Sequence, residues 1–110
     1  MTTWRIRYLP EAKEDLASLD GSQRVRVQKA LRKVAENPLP SDEGGYGKPL
    51  GHKRTYNLSG LLKVKLKADG IRIVYKLEKV GEEMIIVVIG MRAEDEVYGL
   101  AAKRRDKHDL

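Results

Sequence analysis

Leu62-Lys63-Val64-Lys65-Leu66-Lys67-Ala68-Asp69-Gly70-Ile71-Arg72-Ile73-Val74-Tyr75-Lys76-Leu77 is the stretch on which the fold turns. Apolar and charged residues alternate on both sides of Asp69-Gly70, the period of a half-buried strand, and Asp-Gly between two such runs is a strong short hairpin signal. With Asp69-Gly70 as a two-residue turn, Lys67 faces Arg72, Leu66 faces Ile73, Lys65 faces Val74 and Val64 faces Tyr75. Directly opposed residues point the same way. Leu62, Val64, Leu66, Ile71, Ile73, Tyr75 and Leu77 are then expected on a core face, and Lys63, Lys65, Lys67, Arg72 and Lys76 on the other.

Working outward, Met84 to Gly90 is almost wholly apolar and β-branched, as in a central strand covered on both faces. Near the start, Trp4 to Leu9 alternates as a further strand. Pro10 suits the first turn of a helix that aligns Ala12, Leu16 and Leu19. Asp20-Gly21-Ser22 interrupts that pattern, with Ser22 as the candidate cap of a second helix whose stripe Val27, Ala30, Leu31, Val34 and Ala35 ends before Pro38. Leu39 to Arg54, rich in Gly, Pro and polar residues, reads as one long loop. From about Ala93 a last helix carries acids at its start and bases at its end, which complements the helix dipole. The order is β-α-α-β-β-β-α. It predicts an α+β fold in which an antiparallel sheet is packed by an N-terminal helical hairpin and a C-terminal helix.

The 110 residues allow one domain, with a flexible basic tail expected from about residue 106 to 110. Lys plus Arg number 22 against 16 Asp plus Glu, a formal charge of +6, which points to a polyanionic or acidic partner. No apolar run approaches the ~20 residues that cross a bilayer, and Met1-Thr-Thr-Trp-Arg does not resemble a signal peptide. Without cysteine there is neither a disulfide framework nor a thiolate metal site, so a reducing cytoplasm is the expected compartment. The sequon at Asn57-Leu58-Ser59 is then a chance match.

Alternating lysines on a strand are often only a solvated face or an edge guarded against aggregation. The patch gains chemical meaning from Arg92, just after the central strand, and Tyr98 early in the last helix, because a strand end and a helix start converge over one sheet. His52 falls in the long loop and His108 in the tail, and no carboxylates are spaced for a metal ion. No metal or cofactor is expected. Gly44-Gly45-Tyr46-Gly47-Lys48 does not make a nucleotide loop, since Pro49 stands where Ser or Thr is required and no strand is predicted before it.

Taken together, the hairpin, Gly90-Met91-Arg92 and Glu96-Val97-Tyr98 resemble the catalytic half of the RelE toxins of the RelE/ParE superfamily, and the element order extends the resemblance over nearly the whole chain. The resemblance implies a RelE-like microbial RNase fold and the toxin of a type II toxin–antitoxin pair that enters the ribosomal A site and cleaves messenger RNA there. It further implies Lys65 as base, Lys63 and Arg72 as phosphate ligands, Arg92 at the leaving group and Tyr98 against a base of the RNA. For Arg92, charge stabilisation suits a guanidinium better than the acid role the family assigns. Lys48, Lys53, Arg54, Lys67 and Lys76 are the candidate contacts to RNA and ribosome, and a cognate antitoxin is the implied protein partner. Two departures stand out. The family's basic residue in the preceding loop is replaced by Leu50, for which Lys48, Lys53 or Arg54 are candidates to compensate, and the loop from Gly44 to Gly60 is longer than usual. A ParE-like toxin that cuts no RNA, and a plain RNA-binding module, remain as alternatives.

Overall fold

The apolar run Met84–Ile89 is buried residue by residue, and this strand organises the molecule. The computed structural model describes residues 3–53, 55–91 and 93–110, with the side chain of Glu94 also outside the description. Arg54 and Arg92 therefore lie outside the described residues. The elements in chain order are β1 (Arg5–Tyr8), α1 (Pro10–Ala17), α2 (Gly21–Val34), a 3-10 turn (Ser41–Glu43), β2 (Lys48–Lys53), β3 (Tyr56–Leu66), β4 (Ile71–Glu78), β5 (Glu83–Gly90) and α3 (Glu94–Lys107). They build the expected α+β fold, a sheet of order β1-β5-β4-β3-β2 with three helices.

Two expectations about the sheet are corrected. It is mixed, because β1 runs parallel to β5 while the other pairings are antiparallel. It also has a fifth strand where the sequence reads as loop, since β2 occupies Lys48–Lys53. Pro49 and Gly51 obscure that strand, with a register shift between them, but proline is tolerated on an edge strand and β2 is the edge. Its partner β3 begins at Tyr56, well before the alternating lysines.

The central hairpin keeps its faces and changes its register. Leu66 pairs with Ile71, Lys65 with Arg72, Val64 with Ile73, Lys63 with Val74 and Leu62 with Tyr75. The connection is the four residues Lys67–Gly70, closed by Asp69 N–H to the Leu66 carbonyl at 3.2 Å, so Lys67 leaves the sheet. Relative to a two-residue turn the strands slip by two positions, an even number, and every side chain therefore stays on its predicted face. Arg26 of α2 fixes the turn through two bonds to Asp69, Nε to Oδ2 at 2.8 Å and Nη2 to Oδ1 at 2.5 Å.

Both faces of the sheet are covered. On one, the Tyr75 hydroxyl donates to the Pro38 carbonyl just beyond α2 at 2.7 Å, and burial pushes its pKa up. On the other, Lys63 reaches Tyr98 of α3. Val74, opposite Lys63, is wholly buried on this second face. It belongs to the same core as Val97, Tyr98 and Ala101 of α3, so the face that carries the cations is partly apolar.

Asp20 rather than Ser22 caps α2, accepting from Gln23 N–H at 2.8 Å, while the Gln23 side chain accepts from Asp20 N–H at 3.3 Å. α3 is anchored where β1 runs out. β1 ends opposite Ile86, and beyond it Asp15 of α1 accepts the Ile89 N–H at 3.0 Å while Arg104 of α3 donates to the Val87 carbonyl at 2.9 Å. Arg104 and Asp15 also meet at 2.6 Å. Glu11 of α1 holds Lys107 at 2.8 Å and His108 at 2.9 Å. α3 continues to Lys107, and Lys76 Nζ donates to the main-chain oxygen of Leu110.

Candidate nucleic-acid interface

The register creates two rungs of like charge. Lys48 on β2 stands opposite Lys63 on β3, and two residues further along β3 Lys65 stands opposite Arg72 on β4. Like charges directly opposed across strands repel, so these rungs concentrate positive charge on one part of the sheet. Arg72 in turn pairs with Gly90 at the end of β5, two residues before position 92 in the chain. That ladder brings Lys48, Lys63, Lys65 and Arg72 toward one corner of the sheet.

Within that corner the side chains differ in access. Lys65 and Lys48 are exposed, whereas Lys63 and Arg72 are half-buried. Lys63 Nζ donates to the Tyr98 hydroxyl at 2.9 Å and lies 5.5 Å from the ring centroid, so the ammonium sits at the oxygen end of the ring. Tyr98 is only 5% exposed. The face of its ring is thus covered in this conformation, and what it offers the surface is the hydroxyl that holds Lys63.

Beyond β2, the edge of β3 opens into a groove of about 450 Å³ lined by Tyr46, Lys48, Lys63, Val64, Lys65 and Lys67. No carboxylate lines it among the described residues. Of the expected contact residues, Lys48 and Lys67 therefore join the catalytic candidates. Lys53 does not, since it pairs with Tyr56, seven residues from Lys63 along β3 or roughly 23 Å at ~3.3 Å per residue. Lys76 shares the face of Lys63 but is engaged with the chain end. Arg54 and Arg92 lie outside the described residues. Among the described residues no group of three or more His, Cys, Asp or Glu is placed to hold a metal ion.

A family model described as the ParE toxin of type II toxin–antitoxin systems matches residues 6–96. The chain belongs to the RelE/ParE toxin superfamily. An Escherichia coli protein described as RelE-like toxin is 32% identical over 104 residues, covering 92% of this chain and 96% of the relative. Among solved structures, a free-state mutant of the E. coli toxin RelE superposes with a TM-score of 0.70 at 24% identity, covering 94% of this chain and 98% of that one. The toxin–antitoxin complex RelBE2 of Mycobacterium tuberculosis follows with a TM-score of 0.67 at 22% identity, covering 86% and 97%. These likenesses bear on the fold of the toxin.

Sequence reasoning overlooked Tyr46. It considered the glycine-rich segment around this residue only as a phosphate loop, whereas Gly45 and Gly47 of this toxin answer packing and Gly44 a positive φ of 85°. A side-chain carbon on Gly45 would lie 2.0 Å from the Leu39 carbonyl oxygen, and one on Gly47 would lie 2.2 Å from the Tyr75 hydroxyl. The available signal was an aromatic residue held between glycines and followed two residues later by lysine.

Proposed function

We propose that this toxin is a ribosome-dependent endoribonuclease that cleaves messenger RNA in the A site by attack of an RNA 2′-hydroxyl on the adjacent phosphorus. The observation that carries the reading is the rung of Lys65 and Arg72 beside the Lys63–Tyr98 pair at one corner of the sheet. A phosphodiester laid across that corner meets a base candidate and two phosphate ligands at once. Lys65, exposed and acting as its neutral amine, takes the 2′-hydroxyl proton as the new O–P bond forms. Lys63 and Arg72 donate to the non-bridging oxygens, where negative charge grows in the transition state. The bond to the 5′-oxygen breaks, with Arg92 the proposed source of stabilising charge there. The departing 5′-oxygen takes its proton from solvent water, and the products are a 2′,3′-cyclic phosphate and a free 5′-hydroxyl. Tyr98 serves by fixing Lys63. No step requires a metal ion or cofactor.

The basic corner also suits an acidic or amphipathic segment of a cognate antitoxin, and the site of action is the cytoplasm, where ribosomes are. Mapping RNA ends after incubation with translating ribosomes tests the reading. Cuts within A-site codons that vanish in Lys65→Ala and Arg92→Ala support it, whereas arrested growth with intact messenger sinks it. That second outcome is the one expected of a ParE-like toxin with a target other than RNA, a reading favoured by the ParE description of the matching family model.

A further inference from the structure

Tyr46 is half exposed, at 51%, whereas Tyr8, Tyr56, Tyr75 and Tyr98 are buried or partly buried. It is also held firmly. Its N–H donates to the Asn37 carbonyl at 3.0 Å, the Asn37 side chain donates to the Gly44 carbonyl at 3.1 Å, and Gly47 N–H donates to the Leu39 carbonyl at 3.1 Å. Ser41 N–H returns a bond to the Gly47 carbonyl at 2.6 Å. The close approaches at Gly45 and Gly47 leave the loop little room to rearrange. A backbone this constrained presents the ring in a fixed place rather than letting it collapse onto the core.

That place is the end wall of the lysine groove along β3. Lys33 Nζ stands 5.9 Å from the ring centroid, so a cation flanks a ring that is still half open to solvent. Single-stranded nucleic acids are gripped by this pairing of a basic track for the backbone with an aromatic face for a base. We propose that Tyr46 is a base-stacking platform, with Lys48 and Lys67 holding the phosphates on either side of the stacked nucleotide, adjacent to the Lys65 corner. The inference rests on the reading that this toxin engages RNA. It assigns the stacking role to Tyr46, on the loop before β2, rather than to Tyr98, whose ring is buried.

The test uses the full-length toxin and a single-stranded oligoribonucleotide carrying 2-aminopurine, with its 2′-hydroxyls methylated so that it cannot be cut, at low ionic strength. Stacking on Tyr46 quenches the fluorescent base. Tyr46→Ala is expected to abolish the quench and weaken binding about ten-fold, while Tyr46→Phe and Tyr46→Trp keep both within about three-fold. Equal quenching and affinity in Tyr46→Ala overturn the platform, as does a loss in Tyr46→Phe as large as in Tyr46→Ala, which would assign the effect to the hydroxyl. Failure of the unaltered toxin to bind the oligonucleotide overturns it too. The end-mapping experiment reports separately on cleavage. Tyr46-dependent quenching with intact messenger keeps the platform and removes the nuclease, and cut messenger with an indifferent Tyr46→Ala does the reverse.

Discussion

Lys63 and Tyr98, 35 residues apart, meet through a hydrogen bond of 2.9 Å from the ammonium to the phenol oxygen beneath the last helix. A candidate phosphate ligand is thereby tied to the element that covers it, and α3 and the basic corner are one structural unit. Tyr98→Phe keeps the buried ring and removes only the acceptor. Chemical denaturation is expected to show a loss of about 0.5–1.5 kcal/mol. Under the proposed mechanism single-turnover cleavage on programmed ribosomes falls in the same variant, because Lys63 is no longer held in place.

Lys65 is exposed, so removing it leaves packing alone. Lys65→Ala is expected to change stability by no more than about 0.5 kcal/mol. As the loss of a general base, it lowers single-turnover cleavage by roughly 10²–10⁴-fold. Undiminished cleavage in Lys65→Ala at unchanged stability would remove Lys65 from the base role.

Gly47→Ala places a carbon 2.2 Å from the hydroxyl of Tyr75, a wholly buried side chain already bonded to the Pro38 carbonyl. Overpacking of this kind costs about 1–3 kcal/mol. The double variant with Tyr75→Phe removes the colliding oxygen and is expected to be less destabilised than the sum of the two single changes. A double-mutant cycle measured by denaturant unfolding reads that coupling.

Asp15 accepts both the Ile89 N–H and the Arg104 guanidinium, where β5 has lost β1 as a neighbour. Asp15→Ala leaves a main-chain donor and an arginine short of an acceptor, at an expected cost of about 1.5–3 kcal/mol. Hydrogen exchange at Ile89 and along α3 is expected to accelerate in that variant.

Glu11 has its pKa lowered from 4.5 to about 2, chiefly by the hydrogen bond from Lys107, then by its own main-chain N–H and by His108. A carboxylate held below its unfolded value contributes stability that is complete above the unfolded pKa and disappears as pH falls through the folded one. The clamp of α3 onto α1 is therefore expected to persist above about pH 5 and to be lost progressively between about pH 4.5 and 2. The stability difference between the unaltered toxin and Glu11→Gln, measured against pH, is expected to be flat above that window and to close within it.

The local alternation of residues 62–77 determined a β-hairpin and the face of each side chain, because a period of two survives any even slip in pairing. The same local logic placed α1, α2, α3 and the buried strand β5, whose apolar patterns extend over several turns or pairs. Charge alone pointed to the basic corner. Only tertiary structure decided which cations share it. The four-residue turn moved Lys65 opposite Arg72 and released Lys67, and Arg26 of α2 holds that turn from 43 residues away. The strand at Lys48–Lys53 was illegible because Pro49 and Gly51 hide its period, and its hydrogen bonds to β3 come from the partner rather than from local propensity. The two tyrosines were decided the same way. Tyr98 sits on an unremarkable helix turn and is buried because α3 lies across Val74, whereas Tyr46 is exposed because a web of main-chain bonds and two close-packed glycines allow its loop no other course. Burial depends on what the rest of the chain brings to a residue, and that is a property of contacts, not of the residue's neighbours in sequence.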